Sequence, residues 1–322
     1  VSHMPTSFVQ LIERAQQQEP RRVCAVAHPC DEVSLGCALE AAKLGLFTPI
    51  LVGPKKRIEA VAAEHNYDLA NVQILNTAHS HASAETAVQL VLRGEAQLLM
   101  KGSLHTDELM HAVMTVEGKG LRTERRISHV FITDVPSYEG LLFITDAAIN
   151  ISPNLTTKAD IVQNAADLHV GLGLGIPRVA ILSAVESVTE KIPSTLEAAA
   201  LCKMADRGQI TDVIIDGPLA MDNAISLEAA RIKGIKSEVA GRAQILVAPD
   251  LEAGNMLAKN LTFLSGAEAA GVVLGARVPI ILTSRADSAN ARLASCAVAA
   301  VYADVLMKKH AALVVAAGEN NE

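Results

Sequence analysis

Residues 23–53 read VCAVAHPCDEVSLGCALEAAKLGLFTPILVG, and the succession of textures in this stretch decides the fold. Val23 to Ala27 is a short apolar run with the character of a buried strand. Asp31 to Leu44 places apolar residues at helical spacing. Ile50 to Val52 is apolar again and closes on Gly53-Pro54. Strand, helix, strand in this order is a crossover unit, and crossover units build parallel sheets. The strands show no apolar/polar alternation, as expected when helices cover both faces.

The rhythm continues outward. Helix from Lys56 to Glu64, strand Val72 to Leu75, helix Ala82 to Leu92, strand Gln97 to Met100 and helix Thr106 to Val116 follow. Between Gly118 and Asn150 it breaks. Ser128 to Asp134 and Leu141 to Asp146 are strands joined by Pro136-Ser137-Tyr138-Glu139-Gly140, which predicts an antiparallel pair. Alternation then resumes up to a long Ala-rich helix over 288–308. The expected fold class is α/β, with two doubly wound domains around a cleft. The expected division is 4–150, rejoined by 290–322, against 151–289.

Composition narrows the function classes. The chain has 322 residues, half of them hydrophobic but only 2% aromatic, and a net charge of −7. The apolar content excludes a disordered chain. The acidic balance argues against nucleic acid as a partner, and the lack of aromatic residues argues against base-stacking platforms. The longest apolar run, Ala294 to Met307, is too short for a membrane span and carries Asp304. Val1-Ser2-His3-Met4 reads as a cloning remnant running up to a natural Met, with no signal peptide after it. Five scattered cysteines fit a reducing, cytoplasmic setting better than a disulfide framework.

Ligands of open parallel sheets bind beyond the carboxyl ends of the strands. Four polar clusters follow expected strands: Lys101 to Asp107, Asp216 to Asn223, Ala248 to Asn255 with Lys259, and Thr283 to Ser288. Each has a plainer reading as a helix cap, Thr106 and Ser288 among them. Arg285 beside a helix start makes an anion site, a guanidinium fork next to free N–H groups. The plainer reading is a local Arg285–Asp287 salt bridge. Gly171 to Gly175 fails the dinucleotide fingerprint in order and spacing, and reads as a helix end. Cys24, His28, Cys30 and Cys37 match no standard zinc spacing, so buried thiols and no metal are expected.

The runs Pro249-Asp250-Leu251-Glu252-Ala253-Gly254-Asn255 with Lys259, and Ser284-Arg285-Ala286-Asp287-Ser288, resemble the phosphate acetyl/butyryltransferase family. Asp216-Gly217-Pro218-Leu219 with Asp222-Asn223, Lys101-Gly102 with Thr106, and Asp146 to Asn150 with Pro153 are similar to it too. The resemblance implies reversible acyl transfer between coenzyme A (CoA) and inorganic phosphate on a fold of the isocitrate/isopropylmalate dehydrogenase-like type. It implies a homodimer, CoA as substrate, acyl phosphate as the other partner and no tightly bound cofactor. Ser284, Arg285 and Asp287 would be catalytic, with Lys101, Thr106, Asp216, Asn223, Asp250, Asn255 and Lys259 binding substrate. In the acetyl branch an Asp stands seven residues after the Ser, where this chain has Ala291, which makes Asp287 the nearest candidate base. An arginine of that branch on the helix after Thr106 is His111 here, with Arg122, Arg125 or Arg126 as substitutes. Two other readings compete. One is an NAD-linked, metal-dependent oxidative decarboxylase, with Asp216, Asp222 and Asp250 as ligands. The other is a non-catalytic acyl-CoA or acyl-phosphate binding protein.

Overall fold

The computed structural model describes residues 6–319; Val1 to Met4, expected to be a cloning remnant, lies outside them. The chain divides into two compact units. One runs to Glu124 and resumes at Ala276; the other is Arg125–Gly275. The division expected at 150 differs from this one. The break in rhythm is the antiparallel pair itself, and that pair is built wholly into the second unit.

The first unit begins with helix α1 (Thr6–Gln16) and strand β1 (Val23–Ala27). It continues through α2 (Glu32–Lys43), β2 (Thr48–Gly53), α3 (Lys55–Glu64), β3 (Gln73–Asn76), α4 (Ser80–Leu92), β4 (Leu98–Lys101) and α5 (Thr106–Thr115). Strand β11 (Ile280–Ile281) and helix α11 (Ala289–Glu319) return to it from the end of the chain. Its strand order is β3-β2-β1-β4-β11, all parallel. Asp31 starts α2 by accepting the Ser34 N–H at 2.8 Å. Cys24 to Ala27 and Leu98 to Met100 are fully buried, so β1 and β4 are covered on both faces. Asp304 is a buried anchor: it takes Arg22 at 2.7 Å and Lys308 at 2.7 Å, tying α11 to the start of β1. Among the described residues no helix is long and apolar enough to cross a membrane.

The second unit contains β5 (Ser128–Asp134), β6 (Leu141–Thr145), α6 (Leu155–Gly171), β7 (Arg178–Leu182), α7 (Pro193–Asp206) and β8 (Ile214–Leu219). Then come α8 (Met221–Ile225), α9 (Leu227–Ile232), β9 (Ile245–Val247), α10 (Leu251–Phe263) and β10 (Glu268–Leu274). Its order is β10-β5-β6-β9-β7-β8. β5 and β6 are antiparallel, as their turn-rich link implied, and β10 adds a second antiparallel pairing to β5. Strands β6, β9, β7 and β8 run parallel. Gly173 and Gly175 have φ of 78° and 85°, which identifies the glycine cluster as the end of α6.

His129 of β5 is fully buried, and burial pushes its imidazole down to about 4, against a smaller opposing effect of Asp146. The unfolded chain therefore takes up this proton near 6.5 while the folded chain refuses it. The associated stability is complete above the unfolded value and is lost as pH falls through that window. Urea unfolding should lose stability at about 1.4 kcal/mol per pH unit from this group alone. The buried His28 and His169 are shifted the same way. A His129→Phe variant should show a slope shallower by one proton; an unchanged slope would refute the assignment.

Candidate functional site

In the order β3-β2-β1-β4-β11, the chain leaves β1 in one direction through β2 and β3, and in the other through β4 and β11. The crevice between β1 and β4 is thus a topological switch point, where ligands of open α/β sheets bind. A cavity of ≈ 730 Å³ opens there, lined among others by His28, Asp31, Arg57, Lys101 to Thr106 and Thr283 to Arg285. A groove of ≈ 860 Å³ is lined by Arg21, Thr48 and Gln73, which mark the opposite, amino ends of β1, β2 and β3. The smaller cavity is at the end of the sheet where chemistry is expected.

Gly102 makes the crevice. Its N–H donates to Ala27 O at 2.8 Å, and the next N–H, of Ser103, donates to His28 O at 2.8 Å. The β4 loop is thereby stitched directly onto the β1 loop. Ser103 Oγ adds a bond to His28 O at 3.0 Å and accepts from Cys30 N at 3.2 Å. Lys101 Nζ turns back to donate to Gly102 O and Leu104 O at 3.1 and 3.2 Å. Burial lowers its basicity, Asp31 partly restores it and Arg285 lowers it further. Thr106 is the first residue of α5; the cap position is His105, with no side-chain bond, so Thr106 is not the cap its sequence allowed.

Across the cavity, Arg285 is 79% exposed and pairs with Asp31, Nη2 to Oδ2 at 3.2 Å. The Arg285–Asp287 bridge of the plainer reading is not formed. Asp287 instead accepts Ser284 N at 2.8 Å, folding 284–287 into a turn, and its backbone carbonyl accepts from Arg292. Ser284 Oγ accepts Ala286 N at 3.2 Å, which leaves its proton available as a donor. Burial alone would raise the Asp31 carboxyl, but bonds from Ser34 and the Arg285 guanidinium hold it below the usual carboxylate range. Ser288 is a cap, accepting Ala291 N at 3.0 Å.

Two further residues, His28 and Arg57, line the cavity. His28 follows β1, is 3% exposed and has φ of 59°. Burial is the main reason its basicity falls; Arg57 and His79 add to this and Glu108 opposes it. Arg57, in the first turn of α3, places Nη1 3.4 Å from His28 Nε2. Two of the arginines expected to serve in place of His111 have their side chains engaged elsewhere. Arg122 folds onto the carbonyls of Gly118 and Lys119, and Arg125 bonds Asn164 and Asp167. Arg126 has its backbone N–H on Asp160.

Lys101, Thr106, Ser284 and Arg285 therefore share one cavity. Asp216, Asn223, Asp250, Asn255 and Lys259 belong to the second unit. Asp216 lies within β8, not after it, and bonds its own neighbour Gly217 N at 2.8 Å. The strand runs on through Pro218 because β8 is an edge strand, where a missing donor is tolerated. Asp250 caps α10 through Ala253 N, and Asp222 accepts Asn223 N. Asn255 donates to Ala147 O at 3.2 Å, and Lys259 is exposed. Asn223 is fully buried, and its Oδ1 has no protein partner. Among the described residues no group of three or more His, Cys, Asp or Glu is placed to hold a metal. Each carboxylate of the decarboxylase reading accepts one local backbone amide through Oδ1. Cys37 faces Cys296 at 3.8 Å.

The family model described as Phosphate acetyl/butaryl transferase matches residues 82–300. The phosphate acetyltransferase of Rhizobium meliloti is 68% identical over 299 residues, covering 93% of this chain and 94% of that protein. The phosphate butyryltransferase of Clostridium acetobutylicum is 40% identical over 300 residues, covering 93% and 99%. A branched-chain phosphotransacylase from Enterococcus faecalis V583 superposes with a TM-score of 0.77 at 30% identity, covering 88% of this chain and 99% of that one.

Proposed function

The chain belongs to the phosphate acetyl/butyryltransferase family, and from that membership we propose which of its residues carry the acyl transfer. The activity is that of a phosphate acetyl- or butyryltransferase, an acyltransferase. The reaction exchanges an acyl group between CoA and inorganic phosphate. What supports a residue-level reading is that Arg285, Lys101 and the uncapped start of α5 converge on one switch-point cavity of a protein with net charge −7. Anion binding is local in such a molecule.

In the thioester-forming direction, Arg285 and a free Lys101 donor hold the phosphoryl group of the acyl phosphate, helped by the first N–H groups of α5. A thiol has an ordinary pKa of about 8.5, so the CoA sulfur needs a base, and Asp287 is the candidate carboxylate. The thiolate forms the C–S bond at the acyl carbonyl. Ser284 Oγ–H donates to the oxyanion or the sulfur. Collapse breaks the C–O bond to phosphorus, and phosphate leaves in the grip of Arg285. The resemblance also assigns substrate contacts to Asp216, Asn223, Asp250, Asn255 and Lys259. Asn223 retains an unspent acceptor for such a role, whereas Asp216 and Asp250 hold local amides. On the same resemblance we propose isocitrate/isopropylmalate dehydrogenase-like units, a cytoplasmic location and a homodimer.

The test is an acyl-donor panel. Acetyl, propionyl and butyryl phosphate with CoA should give thioester with no added metal or NAD, and the ratio of kcat/KM values sets the chain length. CoA binding without thioester from any donor would support the non-catalytic binding reading; strict dependence on NAD and a divalent ion would support the decarboxylase.

A further inference from the structure

We infer that Arg57, oriented by His28, is a second arginine that grips a phosphoryl group of the substrates in the cavity of Arg285. This deepens the proposed function and rests on it.

The two arginines differ in how they are held. Arg285 is paired with the carboxylate of Asp31, which an incoming anion must displace or share. Arg57 has no ion-pair partner among the described residues; its neighbour is the imidazole of His28. Hydrogen bonding sets the tautomer of that ring. Ser83 Oγ has one proton, and its geometry to His79 O, 3.0 Å away, uses that proton. Ser83 Oγ then accepts from Thr77 Oγ1 at 2.7 Å and from His28 Nδ1 at 2.9 Å, filling both lone pairs. With Nδ1 protonated, Nε2 carries the lone pair, and it faces the Arg57 guanidinium. A neutral acceptor directs the guanidinium without cancelling its charge.

The arrangement is built, not incidental. His28 is 3% exposed and sits at a left-handed φ of 59°, a conformation disfavoured for a residue with a Cβ. It is held there by its N–H on Val52 O at 2.7 Å and by the Cys30 and Ser103 groups that share its carbonyl. Ser80 Oγ donates to Glu108 Oε1 at 2.7 Å on the same wall. The charged and titratable groups facing His28 are Arg57 of α3, Glu108 of α5 and His79 before α4. Protonating His28 would place a second cation against Arg57 and loosen its aim.

Three variants test this: Arg57→Ala, Arg57→Lys and His28→Gln, whose amide oxygen can still accept from Arg57. Inorganic phosphate is titrated calorimetrically into each, and KM and kcat are measured for acetyl phosphate, CoA and dephospho-CoA. Arg57→Ala should weaken phosphate and raise the KM of acetyl phosphate roughly tenfold or more, the equivalent of one lost charge-assisted bond, with kcat much less affected. A rise for CoA that dephospho-CoA escapes would keep the inference and assign the phosphoryl group to CoA. His28→Gln should preserve affinity at neutral pH and abolish the acid-side rise in KM expected of the parent protein. A folded Arg57→Ala protein with unchanged phosphate affinity and unchanged KM values overturns the inference. Phosphate calorimetry also separates the two ideas: if no donor yields thioester, the loss of phosphate affinity on Arg57→Ala still stands or falls by itself.

Discussion

Gly102→Ala is expected to cost about 3 kcal/mol or more in stability and to remove nearly all activity. A Cβ at residue 102 would lie 2.3 Å from Ala27 O, 2.4 Å from His28 O and 2.5 Å from His28 C. All three are backbone atoms of the end of β1, so no side chain can rotate aside. Relief requires the β4 loop to lift off the β1 loop, and that breaks the bonds from Gly102 N and Ser103 N on which the crevice depends. Lys101 and His28 would then lose their relative placement. The contrast is Gly94→Ala, where φ is 75° but nothing lies within 4 Å of the added carbon. That variant carries only the left-handed backbone strain, on the order of 1 kcal/mol, and leaves the cavity alone. Urea midpoints and thioester rates for the pair separate steric from conformational cost. Equal behaviour of the two variants would refute the argument for close backbone approach at Gly102.

The elements were legible in the sequence because their signals are local. Val23 to Ala27 needs only its own apolar run to read as a strand, and Asp31 to Leu44 needs only its helical spacing of apolar residues to read as a helix. The switch-point strands and their polar ends followed from the same rhythm, and so the placement of Lys101, Ser284 and Arg285 at strand ends was accessible. What was illegible depends on which strands become neighbours. Arg57 lies in a Lys55-Lys56-Arg57 run that reads as a solvated helix face, and only the β2-β1 adjacency brings it to His28. Asp287 was the natural partner for Arg285 by spacing, yet its carboxylate closes the Ser284 turn, and the partner that pairs is Asp31, distant in sequence. Asp250 matched a family run and an N-cap equally well, and its hydrogen bond to Ala253 N is the cap. The pairing of β10 with β5 joins segments more than a hundred residues apart, which no local pattern announces.

Arg285→Ala should lower kcat/KM for acyl phosphate by about 10²–10³, the scale of removing one transition-state charge donor, while unfolding changes by no more than ~1 kcal/mol. The two numbers separate because of where the residue sits. Its side chain is 79% exposed and buries little on folding. Its pair with Asp31 is screened by water on one side. Asp31 keeps its structural work in the variant, since the Ser34 bonds that start α2 do not involve Arg285. The Asp31 carboxyl should titrate higher in the variant, because one of the groups holding it down is gone, and this shift reports that the pair existed in solution. Arg285→Lys sharpens the test. It restores a positive charge but not the planar fork, so it should recover binding of inorganic phosphate more fully than turnover. A loss of stability that matches the loss of activity would make the Arg285–Asp31 pair a fastening of the loop to α2, and the anion-binding role would then pass to Lys101 and Arg57.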